Sequence, residues 1–136
     1  METQDKGDLT EAAVLTELKR REIPVSIPFG DNQRYDFVVE SEDGTLYKSQ
    51  IKTGWLSDGV VNFHSKSQHT NSQGNVYKQY DDVDQFLVYV HDLGALYLVP
   101  EGAFERSISL RVEEPKQADA SINRAAEYRF DERWPP

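Results

Sequence analysis

Residues 7–21, GDLTEAAVLTELKRR, space their apolar positions with the period of a helix. Leu9, Ala12, Ala13, Leu15 (or its neighbour Val14) and Leu18 form one stripe, and Thr16, Lys19 and Arg20 take the wet side. Asp8 or Thr10 is placed to cap the start, and Lys19-Arg20-Arg21 suits the negative end of the helix dipole. After Pro24 the pattern changes to short extended pieces. Val25–Ile27 is bracketed by two prolines, and Tyr35–Val39 and Thr45–Thr53 are joined by a turn at Glu42-Asp43-Gly44. Gly54-Trp55 breaks the second strand, and Gly59–His64 follows the turn signal Ser57-Asp58-Gly59.

Residues 65–76, SKSQHTNSQGNV, are polar and aperiodic and read as a loop. Asp84–His91 and Ala95–Val99 form a strongly apolar strand pair around Asp92-Leu93-Gly94, closed by Pro100-Glu101-Gly102. Arg106–Val112 has the composition of one more short strand, and 113–121 are a polar connector. Ile122–Trp134 reads as a short helix or an irregular segment that packs Tyr128, Phe130 or Trp134 back on the core. The order predicts an α/β sandwich, an N-terminal helix on a central mixed sheet. A chain of 136 residues supports one domain, 1–136, with a core over about 5–112 and a tail at 113–136.

Composition narrows the function. No apolar run approaches the ~18 residues of a membrane span, and the polar, acidic start METQDKGDLTE is no secretory signal, so a soluble cytoplasmic protein is expected. The absence of cysteine excludes disulfides, Cys-ligated zinc and a thiolate nucleophile. Net charge is −9, from 24 acidic and 15 basic residues, which argues against general affinity for nucleic acid. That argument says nothing about one face, and a metal ion can bridge carboxylates to phosphates. Acidity with sparse lysine also suits a halophilic source, in which case it carries little functional information.

The predicted sheet holds residues that a core would not choose. Gln50 and Lys52 share one face of their strand, with Ser49 and Ile51 opposite, and hairpin pairing brings Asp36 near them. A carboxylate, an amide oxygen and an ammonium at one patch suit a Mg²⁺ site acting on a phosphodiester. Glu11, beside the small Ala12 and Ala13, can add a carboxylate from the helix. Against this stand plainer readings: Asp36 as a hairpin-edge residue paired with Arg34 or Lys48, Gln50 as an ordinary polar residue, Lys52 snorkelling to water, Glu11 on a helix surface.

Asp36 followed by Gln50-Ile51-Lys52 resembles the pattern of the PD-(D/E)xK nuclease superfamily. Glu11 is similar to the additional N-terminal acid of its Holliday-junction-resolvase branches. Lys6-Gly7-Asp8, Arg34-Tyr35-Asp36, Gln50-Ile51-Lys52-Thr53 and Tyr80…Val83-Asp84…Tyr89 resemble, over residues 5–100, a small group with archaeal relatives and an intron-encoded homing endonuclease of bacteria. The resemblance implies a restriction-endonuclease-like core and a DNA endonuclease. It implies Mg²⁺ (or Mn²⁺) held by Asp36 and Gln50 with Glu11, and Lys52 beside the attacking water. The pattern usually has Asp or Glu at the position of Gln50, and an amide oxygen brings no charge. The alternative is a catalytically weak or inactive nuclease fold that binds nucleic acid or a protein partner.

Lys6, Arg34, Trp55, His64 and Lys66 are the candidate DNA contacts, with Trp55 either stacking on a base or covering the core edge. His64, His69 and His91 fit no compact metal motif. Ala95–Val99 is too apolar for an uncovered strand, and cutting both DNA strands takes two sites, so a homodimer or a dimer of dimers is expected.

Overall fold

The structure is a computed structural model describing residues 3–30, 33–64, 66–71, 74–79, 83–102, 107–112 and 124–136, with backbone alone at 66–71, 74–79, 107–109 and 111. Helix α1 spans Thr3–Arg20 and buries Thr10, Val14 and Leu18. That stripe of three differs from the predicted one in part: Leu9 is 47% exposed and Ala12 is exposed, whereas Val14, the expected alternative to Leu15, is fully buried, and Leu15 packs half-buried against the same core. A hydroxyl heads the stripe, so a search for apolar positions alone misplaces the face. Neither Asp8 nor Thr10 is a cap, because the helix begins a full turn earlier. It ends in a Schellman turn: Ile23 N–H donates to Leu18 O at 3.1 Å and Glu22 N–H to Lys19 O at 3.0 Å. Glu22 takes the left-handed position at φ 58°, and Ile23 packs on Leu18 in the core.

The remaining elements in chain order are β1 Val25–Ser26, β2 Phe37–Glu40, β3 Leu46–Thr53, β4 Trp55–Ser57, β5 Val60–His64, β6 Lys66–Asn71, β7 Gly74–Gln79, β8 Gln85–Val90, β9 Ala95–Pro100, β10 Ser107–Arg111, a 3₁₀ turn Ala125–Tyr128 and α2 Phe130–Arg133. Five strands form the central sheet in the order β1-β2-β3-β8-β9. Only the β3–β8 pair is parallel, so the sheet is mixed as expected. Asp84 fixes that parallel register: its N–H donates to Lys48 O at 2.9 Å and its carboxylate accepts from Lys48 N–H at 2.8 Å.

Each face of the sheet carries its own core. On one, Val14 and Leu18 of α1 pack with Phe37, Val39, Ile51, Leu87, Leu96, Leu98 and Phe130. On the other, Phe86, Val88, Val90, Tyr97 and Val99 meet Val61, Phe63 and Leu110 of a three-stranded sheet ordered β10-β5-β4. Period-two alternation thus buries both faces of β8 and β9 within the chain. The apolarity of Ala95–Val99 is satisfied internally, and that strand offers no open face to a second subunit. Tyr80 lies outside the described residues.

Three strands were not foreseen. β4 pairs with β5 through a two-residue turn whose central residues, Asp58 and Gly59, both have positive φ (53° and 73°), the geometry of a tight hairpin. Within the segment read as a loop at 65–76, the described residues Lys66–Asn71 form β6 and pair with β7, Gly74–Gln79, from Lys66–Gln79 to Asn71–Gly74. A ribbon hydrogen-bonded to neither larger sheet needs backbone pairing but no apolar face, so it leaves no hydrophobic period to read. The predicted connector at 113–121 lies outside the described residues. The closing segment does pack back: Phe130 is buried, Trp134 stacks on it at 5.4 Å between ring centroids, and Arg21 grips Asp131 at 2.7 Å. Among the described residues, no helix is long and apolar enough to cross a membrane.

Candidate active site

The β2–β3 ladder opens at Phe37 paired with Ser49, just past Asp36. There Asp36 N–H donates to Ser49 O at 2.9 Å, and Ile51 N–H donates to the Asp36 carboxylate at 2.8 Å. The carboxylate is therefore tied to the middle of β3 by the backbone itself. From the sheet's helix side α1 brings Glu11 against it, one residue after buried Thr10. Glu11, Asp36 and Gln50 line one cavity of about 490 Å³, together with Asp8, Thr10 and Thr53 among others.

The electrostatics reflect two carboxyls held together. Glu11 is raised from 4.5 to about 7 by loss of solvent, then by the charge of Asp36, by a hydrogen bond to it and by the charge of Asp8. Asp36 is also raised by burial, against the opposing pull of the Ile51 N–H, Glu11 and Lys52. Lys52 is lowered from 10.5 to about 8 by burial, partly offset by Asp36. It does not line the cavity but stands within the electrostatic reach of Asp36.

Gln50 supplies the most informative atom. Its Oε1 is buried and accepts no hydrogen bond, although it belongs to a side chain facing a polar cavity. An orphaned amide oxygen costs about 1–3 kcal/mol unless something occupies it. Two carboxyls in contact and one unpaired amide oxygen form a hard oxygen donor set, which fits a divalent cation. No group of three His, Cys, Asp or Glu capable of holding a metal occurs among the described residues, because the third donor here is an amide.

The tentative DNA contacts scatter more widely. Lys6 is exposed on the first turns of α1, and Arg34 is half-buried two residues before Asp36. Trp55, 43% exposed, faces outward from β4, where it stands 5.1 Å from the ring of exposed His64 on β5. Leu56, not Trp55, packs on the core. Lys66 opens β6, and its side chain lies outside the described residues.

Sequence reasoning missed Thr10, Thr53 and His91. Thr10 Oγ1 lies 2.7 Å from Thr53 Oγ1 and 2.8 Å from His91 Nε2. The readable signal was a threonine four residues ahead of Val14 and eight ahead of Leu18, a hydroxyl on the buried stripe.

A helix on a mixed sheet, with Asp36, Gln50 and Glu11 on one cavity and Lys52 beside Asp36, fits the PD-(D/E)XK endonuclease family, with Gln50 standing where its pattern usually has an acid. The chain belongs to it: the family's sequence model matches residues 1–131, and the protein is an endonuclease. Among solved structures it is similar to a bacterial homing endonuclease, I-Ssp6803I, with a TM-score of 0.80 and 27% identity over 96% of this chain and 90% of that one. No curated protein matches it in sequence.

Proposed function

We propose that the protein hydrolyses phosphodiester bonds in DNA at the Asp36–Gln50–Lys52 site. Asp36, Gln50 and Glu11 would hold a divalent cation, Mg²⁺ or Mn²⁺, whose chemistry is to acidify a bound water and neutralise charge on the phosphate. Asp36 keeps its carboxylate aimed by accepting the Ile51 N–H, and Gln50 offers its unpaired Oε1. Glu11 gives up the proton that it holds against Asp36. Lys52 orients the attacking water or the scissile phosphate from beside Asp36. The observation that carries this reading is the orphaned oxygen of Gln50, a residue that lines the same cavity as Glu11 and Asp36.

Substrate DNA is supported by the family and by the similarity to a homing endonuclease. The exposed Trp55–His64 pair and Arg34, Lys6 and Lys66 are its proposed contacts, with stacking on Trp55 as the sequence-tolerant part. The described residues hold one such site, so cutting both strands at one locus takes two chains, as a homodimer or dimer of dimers. The test is cleavage of duplex, branched and single-stranded DNA with Mg²⁺ or Mn²⁺, at low and molar salt, beside Asp36→Ala and Lys52→Ala. Cleavage that disappears in both variants supports the site. DNA binding without cleavage, equal in all three proteins, overturns it.

A further inference from the structure

Glu11 and Lys52 reach the site from different elements, and a catalytic constellation loosened by even ~1 Å loses most of its effect. Beside the apolar packing of Val14 and Leu18 on Ile51, a cluster of three polar side chains ties α1 to the end of β3. Thr10, immediately before Glu11, is 1% exposed. Its hydroxyl meets the hydroxyl of Thr53, immediately after Lys52, at 2.7 Å. His91, just beyond β8, closes the cluster with Nε2 at 2.8 Å from the same Thr10 oxygen. Tyr89 holds the imidazole edge to face at 4.9 Å.

The hydrogens can be assigned. Thr10 Oγ1 also lies 2.9 Å from Lys6 O, which only accepts, so the single hydroxyl hydrogen of Thr10 goes there. The Thr53 hydroxyl and His91 Nε2 must then both donate to Thr10. The cluster is complete only when His91 carries its hydrogen on Nε2.

We propose that His91 is a positioning residue for cleavage: through Thr10 and Thr53 it locks the Glu11-bearing helix to the Lys52-bearing strand. It touches neither substrate nor the proposed ligands. This inference rests on the reading of the site above. Loss of support behind a ligand set typically costs 10–100-fold in affinity or activity.

The test compares wild type, His91→Ala and His91→Gln; the glutamine places an N–H donor at the same reach from the backbone. His91→Ala should lower the single-turnover cleavage rate and weaken Mn²⁺ binding by titration calorimetry, each about 10-fold or more. DNA affinity measured in Ca²⁺ should stay within about threefold. His91→Gln should recover most of both losses. In wild type, long-range ¹H–¹⁵N spectra of the imidazole should show hydrogen on Nε2. Wild-type rate and Mn²⁺ affinity in His91→Ala overturn the proposal, as does an Nδ1–H tautomer. Equal damage in Ala and Gln, tracking lost thermal stability, reduces His91 to a packing residue and also overturns it. A wild type that binds Mn²⁺ but cuts no DNA defeats the nuclease reading alone, and Mn²⁺ affinity and the tautomer then judge the clamp. A wild type that does neither defeats both.

Discussion

Ile51 donates its backbone N–H to the Asp36 carboxylate across 2.8 Å, and Ile51 is itself buried on the helix side of the sheet. The proposed ligand and the core are thus tied together across the β2–β3 pair. Asp36→Asn keeps an oxygen for Ile51 and removes the charge that presses on Glu11. Cleavage should fall by about 100-fold or more, the upper range for disturbing even the support of a ligand. Thermal stability without metal should match or exceed wild type, since a like-charged partner has gone. A melting temperature well below wild type would mean that the Asp36 charge stabilises the metal-free fold.

The same pair sets a pH dependence. Glu11 rises from 4.5 to about 7 on folding, so between those values the folded state binds more protons than the unfolded one. Its contribution is complete below about 4.5 and is lost as pH rises through about 7. Lys52 runs the other way: lowered from 10.5 to about 8, its contribution is present above 10.5 and is lost as pH falls through about 8. The metal-free protein should therefore have a local stability minimum between about 7 and 8. Melting curves from pH 4.5 to 10.5 read this directly, and Glu11→Gln should flatten the acid limb. Mg²⁺ should stabilise most on the alkaline side of that limb, where no proton must be displaced.

Much of this was legible in the chain. Gln50 and Ile51 could be phased because strands alternate strictly, and the turn at Asp43-Gly44 brought Asp36 near them, while the register itself came only with the structure. Glu11 was legible from its helix, but the head of the buried stripe beside it was not, because that residue is a threonine whose polarity is satisfied by partners 43 and 81 residues away. No local pattern encodes such pairings. The β6–β7 ribbon escaped for a different reason: its strands pair with each other and with neither larger sheet, and the polar, aperiodic sequence gives no period to read. The apolar β9 suggested a subunit contact only because a sequence does not show that both its faces are already covered.

Gln50 is where this chain departs from the usual acid, and reversing the departure is informative. Gln50→Glu puts a third carboxyl beside Glu11 and Asp36. Charge count is a principal determinant of divalent affinity at oxygen sites, so Mg²⁺ binding should tighten about tenfold. Without metal the added repulsion should lower the melting temperature and push Glu11 further up. Calorimetric titration beside melting curves checks both. Unchanged affinity would place the cation away from Gln50 and leave its orphaned oxygen without a ligand.

Gly54 sits between Lys52 and β4, and its backbone presses on β8. A Cβ there would lie 2.9 Å from both Val88 Cγ1 and Val90 Cγ2, closer than carbon atoms approach. Those methyls are short, stiff and buried in the second core, so they have nowhere to turn. Gly54 N–H also donates to Tyr89 O at 3.0 Å, which holds the strand at that distance. Gly54→Ala should cost about 1–3 kcal/mol, the usual range for an overpacked core. Because Thr53 is its neighbour, the same change should disturb the Thr10–His91 cluster and slow cleavage. Pairing Gly54→Ala with Val88→Ala removes one of the two clashing methyls. Partial recovery of stability in urea melts would assign the cost to this contact, and no recovery would assign it to the backbone of β3.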